Sequence, residues 1–308
     1  MNSKGHKRIP VILDTDIGDD IDDTWALGMI LRCPELDVRM VLSATENTPY
    51  RAKIIARFLE KAGRTDIAVG VGAHGKKGGA KERQKKWVAD YELDSYPGTV
   101  YQDGLEAAAK IIANSSEPVT LLSIAPLGNV AELIARHPDL PAKTRFVGMH
   151  GSIDFGYEGK PGASAEWNVA CDPDSAKKVF STAWLSATIT PLDSCGLVKL
   201  SGREYDAVKN SPKTIPRLIL ENYRHWADFS EFKEVEEMTT ILYDTVATHL
   251  SYSSDYLKFE TSGLRITDEG MTVRDPQSPP VRIAMSWNDL EGFRKNLVER
   301  LLADPIPD

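Results

Sequence analysis

The chain has 308 residues, 42% hydrophobic and 27% charged, with a formal net charge of −8. That length and composition suit one large core, so a single domain over residues 1–308 is expected, and the acidic balance argues against nucleic acid as a partner. No run approaches the ~18 uninterrupted apolar residues of a membrane helix.

The chain opens on a polar segment and then a short apolar stretch, residues 9–14, too brief for a signal peptide and of the right length for a strand. Directly after it comes Asp14-Thr-Asp16-Ile-Gly18-Asp19-Asp20-Ile-Asp22-Asp23, six carboxylates in ten residues, and then the helical pattern 22–31. Short apolar runs follow at 38–44, 67–71, 119–124, 146–149 and 187–190. They alternate with helical patterns at 49–61, 103–113, 128–135 and 173–180. Thr48-Pro49 and Asp172-Pro173 each read as an N-cap before a proline in the first turn. The basic stretch 74–86 reads as a solvated loop able to close over a polar substrate. From about 202 to 250 the pattern is mostly helical, clearest at 215–226 and 238–250. Short strands are expected at 256–260, 264–267, 271–273 and 281–286, with a closing helix at 288–302.

Strands alternating with helices predict a largely parallel α/β sheet covered on both faces, with a helical segment and an antiparallel excursion near the C-terminus. Ligands of such sheets bind beyond the carboxyl ends of the strands. The acidic turn and the turns at 45–47, 124–126 and 150–154 are therefore expected to converge on one cavity. Cys33, Cys171 and Cys195 are an odd number in no metal-ligand spacing, which predicts small core residues in a reducing cytoplasm.

Two carboxylates about 4 Å apart repel by roughly 4 kcal/mol at an effective dielectric near 20. A folded turn carrying six must protonate some, solvate some or bind a cation. Hard oxygen ligands with no Cys or His in the run favour calcium or magnesium, calcium first. Helix capping alone accounts for one or two of these aspartates but not for Asp14 and Asp16 at the strand end. An EF-hand starting at Asp14 fails, because Asp19 and Trp25 stand where Gly and Glu are needed. Asp-x-Asp after a strand leaves open a magnesium-dependent phosphohydrolase with Asp14 or Asp16 as nucleophile.

The chain resembles the inosine-uridine preferring nucleoside hydrolases. The resemblance rests on Asp14-Thr-Asp16-Ile-Gly18 with Asp22-Asp23-Thr-Trp-Ala26, on Asn47, on Leu122-Ser-Ile-Ala-Pro-Leu-Gly-Asn129, on Ala165-Glu166-Trp-Asn168 with Asp172-Pro173, and on Tyr243-Asp244-Thr-Val-Ala247. It implies a nucleoside hydrolase-like fold and a Ca2+-dependent enzyme that cleaves a nucleoside or related N-riboside to ribose and base. It implies calcium on Asp16, Asp23, Asp244 and the Ile124 carbonyl, with Asp20 an alternative to Asp23 because two residues are inserted in the turn. Asp16 would activate the calcium-bound water, and Asp22, Asn47, Glu166 and Asn168 would hold the sugar. A homo-oligomer, dimer or tetramer, is also implied.

Taken alone, Asn47 reads as the cap of the 49–61 helix and Asp193 as structural. Tyr243 stands where the family often has the histidine that protonates the leaving base, and Lys160 lies near a position often occupied by an asparagine for the ribose 5′-hydroxyl. These departures admit a silent riboside-binding member as a third reading, and Tyr243 is the residue left for the leaving-group side.

Overall fold

The structure is a computed structural model and describes residues 7–73 and 79–305. The polar opening segment 1–6 and residues 74–78 of the basic stretch lie outside that range. Among the described residues the strands are β1 (Ile9–Thr15), β2 (Leu36–Ser43), β3 (Ala68–Val71), β4 (Val100–Tyr101), β5 (Val119–Ser123), β6 (Thr144–Met149), β7 (Ser186–Thr190), β8 (Leu257–Ile266), β9 (Thr272–Arg274) and β10 (Pro280–Trp287). They form one sheet in the order β4-β3-β2-β1-β5-β6-β7-β10-β8-β9. Strands β1 to β7 run parallel to one another and β10 runs parallel to β7, whereas β8 is antiparallel to both β10 and β9. The order reverses between β1 and β5, which opens a crevice at their carboxyl ends.

The helices are α1 (Asp22–Ile30), α2 (Thr48–Lys61), α3 (Gly104–Asn114), α4 (Gly128–Arg136), α5 (Trp167–Ala170), α6 (Pro173–Phe180), α7 (Leu192–Cys195), α8 (Gly202–Lys209), α9 (Thr214–Ala227), α10 (Tyr243–Leu250) and α11 (Leu290–Leu301). Alternation along β1 sends Val11 and Leu13 into a core with α1, α2, α9 and α10, and Ile12 into a second core with α3, α4 and α6. Both faces are thus apolar, which is why the parallel strands read as short continuous apolar runs. Helix α1 is buried at all nine positions. A Cβ on Gly28 would meet Ile219 Cδ1 at 2.5 Å, so glycine sets the close approach of α1 to α9. No helix of the described residues is long and apolar enough to cross a membrane.

Four expectations need correction. The 238–250 helix begins only at Tyr243. Thr239 is tied to Leu200 through its N–H (3.0 Å) and its hydroxyl (3.0 Å), and the Leu242 N–H donates to Val198, so 239–242 runs alongside 198–200 instead of coiling. The strands expected at 256–260 and 264–267 are one strand, β8. Gly263 interrupts the pattern not as a turn but because a Cβ there would lie 2.2 Å from the Asp275 carbonyl oxygen and 2.4 Å from that of Ser278. The cap of α2 is Asn47, whose side chain accepts from the Tyr50 N–H at 3.2 Å, while Thr48 donates its hydroxyl to the Gly72 carbonyl. The described part of the basic stretch is only in part a solvated loop, since Gln84 is fully buried whereas Gly79, Lys81, Lys85 and Lys86 are exposed.

Gly263→Ala forces a methyl group against two backbone carbonyls, and a cost of about 1–3 kcal/mol is expected. Urea unfolding should show a lowered midpoint at unchanged m-value.

Candidate active site at the acidic turn

The acidic turn leaves β1 and enters α1 with its backbone fixed from α2. Arg51, buried on α2, donates Nε to the Thr45 carbonyl (2.9 Å) and Nη1 to the carbonyls of Asp16 and Ile17, the latter at 3.1 Å. Its hydrogen bonds go to backbone, not to the carboxylates. Tyr50 donates its hydroxyl to the Gly18 carbonyl (3.1 Å) and Trp226 its indole N–H to that of Asp19 (2.8 Å). Gly18 has φ +115°, and a Cβ there would stand 2.8 Å from both Tyr50 and Ile54, so the turn requires glycine.

This turn forms one wall of a cavity of about 470 Å³. Asp16, Asp19, Asp20, Asp22 and Asp23 face it from the turn and the start of α1, Ile124 from the end of β5, Met149 from the end of β6, and Tyr243 and Asp244 from the first turn of α10. Glu166, Trp167 and Asn168 close it around the start of α5. The turns at 45–47 and 150–154 do not line the cavity but buttress it, the first through the Arg51 contact and the second through Gly151, whose N–H donates to Glu166.

Carboxylate oxygens of Asp22, Asp23 and Asp244 all lie within 4.8 Å of one another, and all three residues are buried. Oxygens on one calcium at about 2.4 Å can stand at most about 4.8 Å apart, so this set matches the span of a hard divalent cation. Asp16 faces the same space without belonging to that triplet. Asp20 lies outside it, with Oδ1 accepting from the Ile21 N–H at 2.7 Å. Thr15 orients Asp23 by donating its hydroxyl, and the Asp244 N–H donates to Asp22 at 3.3 Å.

Burial is the first reason these acids hold protons above the usual carboxylate range. It pushes Asp16 up to about 7 against the opposing charge of Arg51. For Asp22, Asp23 and Asp244 burial and then the neighbouring carboxylates raise the pKa well above normal. Among the described residues no lysine or arginine pairs with any of these four. Such a crowded, unpaired set is what a bound cation would relieve.

Glu166 caps α5. Its carboxylate accepts from the N–H groups of Asn168 (2.7 Å), Gly151 (2.9 Å) and Val169 (3.2 Å), yet burial still lifts it to about 7. Asn168 is anchored by donating Nδ2 to the Met149 carbonyl at 3.1 Å. Asp14, at the start of the motif, is sealed away from solvent and holds Asn129 (2.8 Å) and Ser123 (3.0 Å). It does not line the cavity, which removes it as a nucleophile for phosphoryl transfer. Asp193 is structural, accepting from the N–H groups of Ile153, Asp154 and Phe155 at 2.7–3.0 Å.

Two residues expected near the sugar lie elsewhere. Asn47 is exposed, and besides capping α2 it donates Nδ2 to Glu82 at 2.6 Å. Lys160 turns outward to pair with Glu158 at 2.8 Å. Conversely, Tyr157, Lys81 and Arg83 line the cavity without having been singled out. Tyr157 stands edge-on to Tyr243, ring centroids 6.5 Å apart, and accepts from the Trp167 N–H at 2.8 Å. Its loop position left no periodic signal, whereas Lys81 and Arg83 belong to the basic stretch noted as able to cover a substrate.

The sequence model for the inosine-uridine preferring nucleoside hydrolases matches residues 11–295. The chain is 33% identical to the pyrimidine-specific ribonucleoside hydrolase RihA of Escherichia coli O8 (strain IAI1), over 95% of this chain and 98% of that protein. It is 28% identical to the protein of that name from Salmonella newport (strain SL254) at the same coverage. Among solved structures, a plant nucleoside hydrolase, the PpNRh1 enzyme, superposes with a TM-score of 0.77 at 21% identity, covering 97% of this chain and all of that one. An inosine-guanosine nucleoside hydrolase gives 0.76 at 19%, covering 96% and 99%. The acidic cavity at the sheet's crossover point thus lies in a chain that belongs to the inosine-uridine preferring nucleoside hydrolase family and is an N-ribosyl hydrolase.

Proposed function

We propose that the chain hydrolyses the N-glycosidic bond of a ribonucleoside, uridine and cytidine foremost, with Asp16 as the base that takes the proton of the attacking water and Ca2+ as its cation. The observation that carries this reading is the ring of buried, unpaired carboxylates around one cavity. Asp23, Asp244, Asp16 and the Ile124 carbonyl would hold calcium, with Asp22 shared between the cation and a sugar hydroxyl. A cation bound there supplies Lewis-acid chemistry, making a water acidic enough to attack at neutral pH.

The chain's own groups do the rest. Breaking the bond builds positive charge on the ribose ring, which the surrounding carboxylates stabilise. Glu166, fixed by three amide N–H groups, and the anchored Asn168 present acceptor and donor to the ribose hydroxyls and so hold the anomeric carbon against the water. Use of Asn47 on the sugar would require it to release Glu82. Tyr157, Trp167 and Tyr243 offer aromatic surface to the base. The choice of pyrimidines rests on the curated relatives, named as pyrimidine-specific. A single domain is supported by the one continuous sheet, and a reducing cytoplasm by three free cysteines, two of them buried. A dimer or tetramer is supported by the family resemblance and is read directly by light scattering.

Ribose release is expected from uridine or cytidine with calcium present, and Asp16→Asn should lower kcat by about 10³ while leaving the melting temperature within a few degrees. Absence of turnover on a full panel of ribonucleosides would overturn the reading. Chelation should abolish activity and calcium should restore it. Since burial lifts Asp16 to about 7 and raises Asp22, Asp23 and Asp244 well above the usual carboxylate range, calcium must displace protons from these acids, and its affinity falls as pH falls, about tenfold per displaced proton per pH unit. Calorimetry in buffers of different ionisation enthalpy reads both the affinity and the protons released.

A further inference from the structure

N-glycoside hydrolysis needs help at the departing base as well as at the sugar. The base leaves with the bonding electron pair, so it must be protonated or its negative charge must be stabilised. Among the described residues lining the cavity there is no histidine, and its phenols, Tyr157 and Tyr243, are weak acids by nature, with an ordinary pKa of about 10. The cavity's cations are Lys81 and Arg83, facing seven carboxylates.

Their placement is built, not incidental. The segment 79–84 is clamped along its length to the acidic turn and the start of α2. Gly79 and Ala80 donate their N–H groups to Glu46 (2.7 and 3.1 Å), Glu82 accepts from Asn47, Arg83 donates its N–H to the Gly18 carbonyl (3.0 Å), and Gln84 donates its N–H to the Tyr50 hydroxyl (2.9 Å). Within this frame the Arg83 guanidinium stands over the Trp226 ring, 5.5 Å from its centroid, and its Nη1 reaches the Asp19 carbonyl at only 3.5 Å. Its Nε is buried with no hydrogen-bond partner. Neither Lys81 nor Arg83 forms an ion pair among the described residues, although carboxylates line the same cavity. A cation held near carboxylates yet left unpaired, with a donor unsatisfied, is arranged for an acceptor that arrives with the substrate.

Building on the hydrolase reading above, we infer that Lys81 and Arg83 stabilise the departing base, taking the part that a leaving-group acid plays elsewhere. The C1′–N bond breaks with its electron pair passing to the base nitrogen. The water oxygen forms the new C1′–O bond, and the water's proton goes to Asp16. The base, held as an anion against the two cations, takes its proton from solvent at the cavity mouth, where Lys81 is exposed. Substrates whose bases leave as poorly stabilised anions depend most on this pair.

The test compares uridine, whose base needs this help, with p-nitrophenyl β-D-riboside, whose leaving group departs as a delocalised anion. Lys81→Met and Arg83→Met should each lower kcat/KM for uridine by about 10- to 100-fold more than for the aryl riboside, and Arg83→Lys should recover part of the Arg83→Met loss. Melting curves and calcium titrations establish that each variant is folded and loaded. An equal fall on both substrates, or a gain in calcium affinity with an unchanged ratio, would overturn the inference by assigning the cations to neutralising the acidic turn. Wild-type protein inert on both substrates would instead bring down the hydrolase reading and this inference with it.

Discussion

Mutual repulsion among buried carboxylates that share one cavity is the constraint around which this molecule is organised. Asp14, Asp16, Asp22, Asp23, Asp244 and Glu166 are all buried, and they converge from β1, α1, α10 and the start of α5. A cluster of that kind costs stability unless each acid is protonated, hydrogen-bonded or given a counter-charge. Asp14 and Glu166 take side-chain and backbone donors, Asp23 accepts from Thr15 and Asp22 from the Asp244 N–H, yet Asp16, Asp22, Asp23 and Asp244 form no ion pair among the described residues. What holds those aspartates together beyond these few bonds is the rigidity of what carries them.

That rigidity has two sources. Helix α1 is buried all round, so its first turn cannot swing outward to relieve the charge. The turn before it is fastened through its carbonyl groups by Arg51, Tyr50 and Trp226, from two helices distant in sequence. Arg51 brings a positive charge close enough to oppose the upward shift of Asp16, yet its donors are taken by main-chain oxygens, so it does not compete for the carboxylates. Structural and functional electrostatics are thereby kept on separate atoms of the same turn.

Much of this was legible in the sequence where the causes are local. Doubly buried parallel strands leave short unbroken apolar runs, and six aspartates in ten residues mark themselves. Glu166 and Asn168 stand out in the sequence because they sit in a compact motif, and both line the cavity, while Asp193 accepts from backbone N–H groups. Causes that act across the chain left little trace. Gly263 reads like a turn because the two carbonyls that demand glycine come from residues 275 and 278. Asn47 carries a capping signal that is real, but its bond to Glu82 depends on a segment 35 residues away. Residues 238–242 carry a helical pattern overridden by pairing with 198–201. Lys81 and Arg83 gain meaning only once the clamp to Glu46, Gly18 and Tyr50 is in place.

The sheet ends in very short strands. β4 has two residues and β9 has three, and these are the outermost members of the ten-stranded order. Borders of that length present few free main-chain donors and acceptors, so at β4 and β9 themselves another polypeptide finds little template on which to add a strand. On the β9 side, however, β8 pairs only through 264–266, which leaves its 257–262 portion without a strand partner on that flank among the described residues. The short terminal strands thus guard the borders of the sheet but not their whole length.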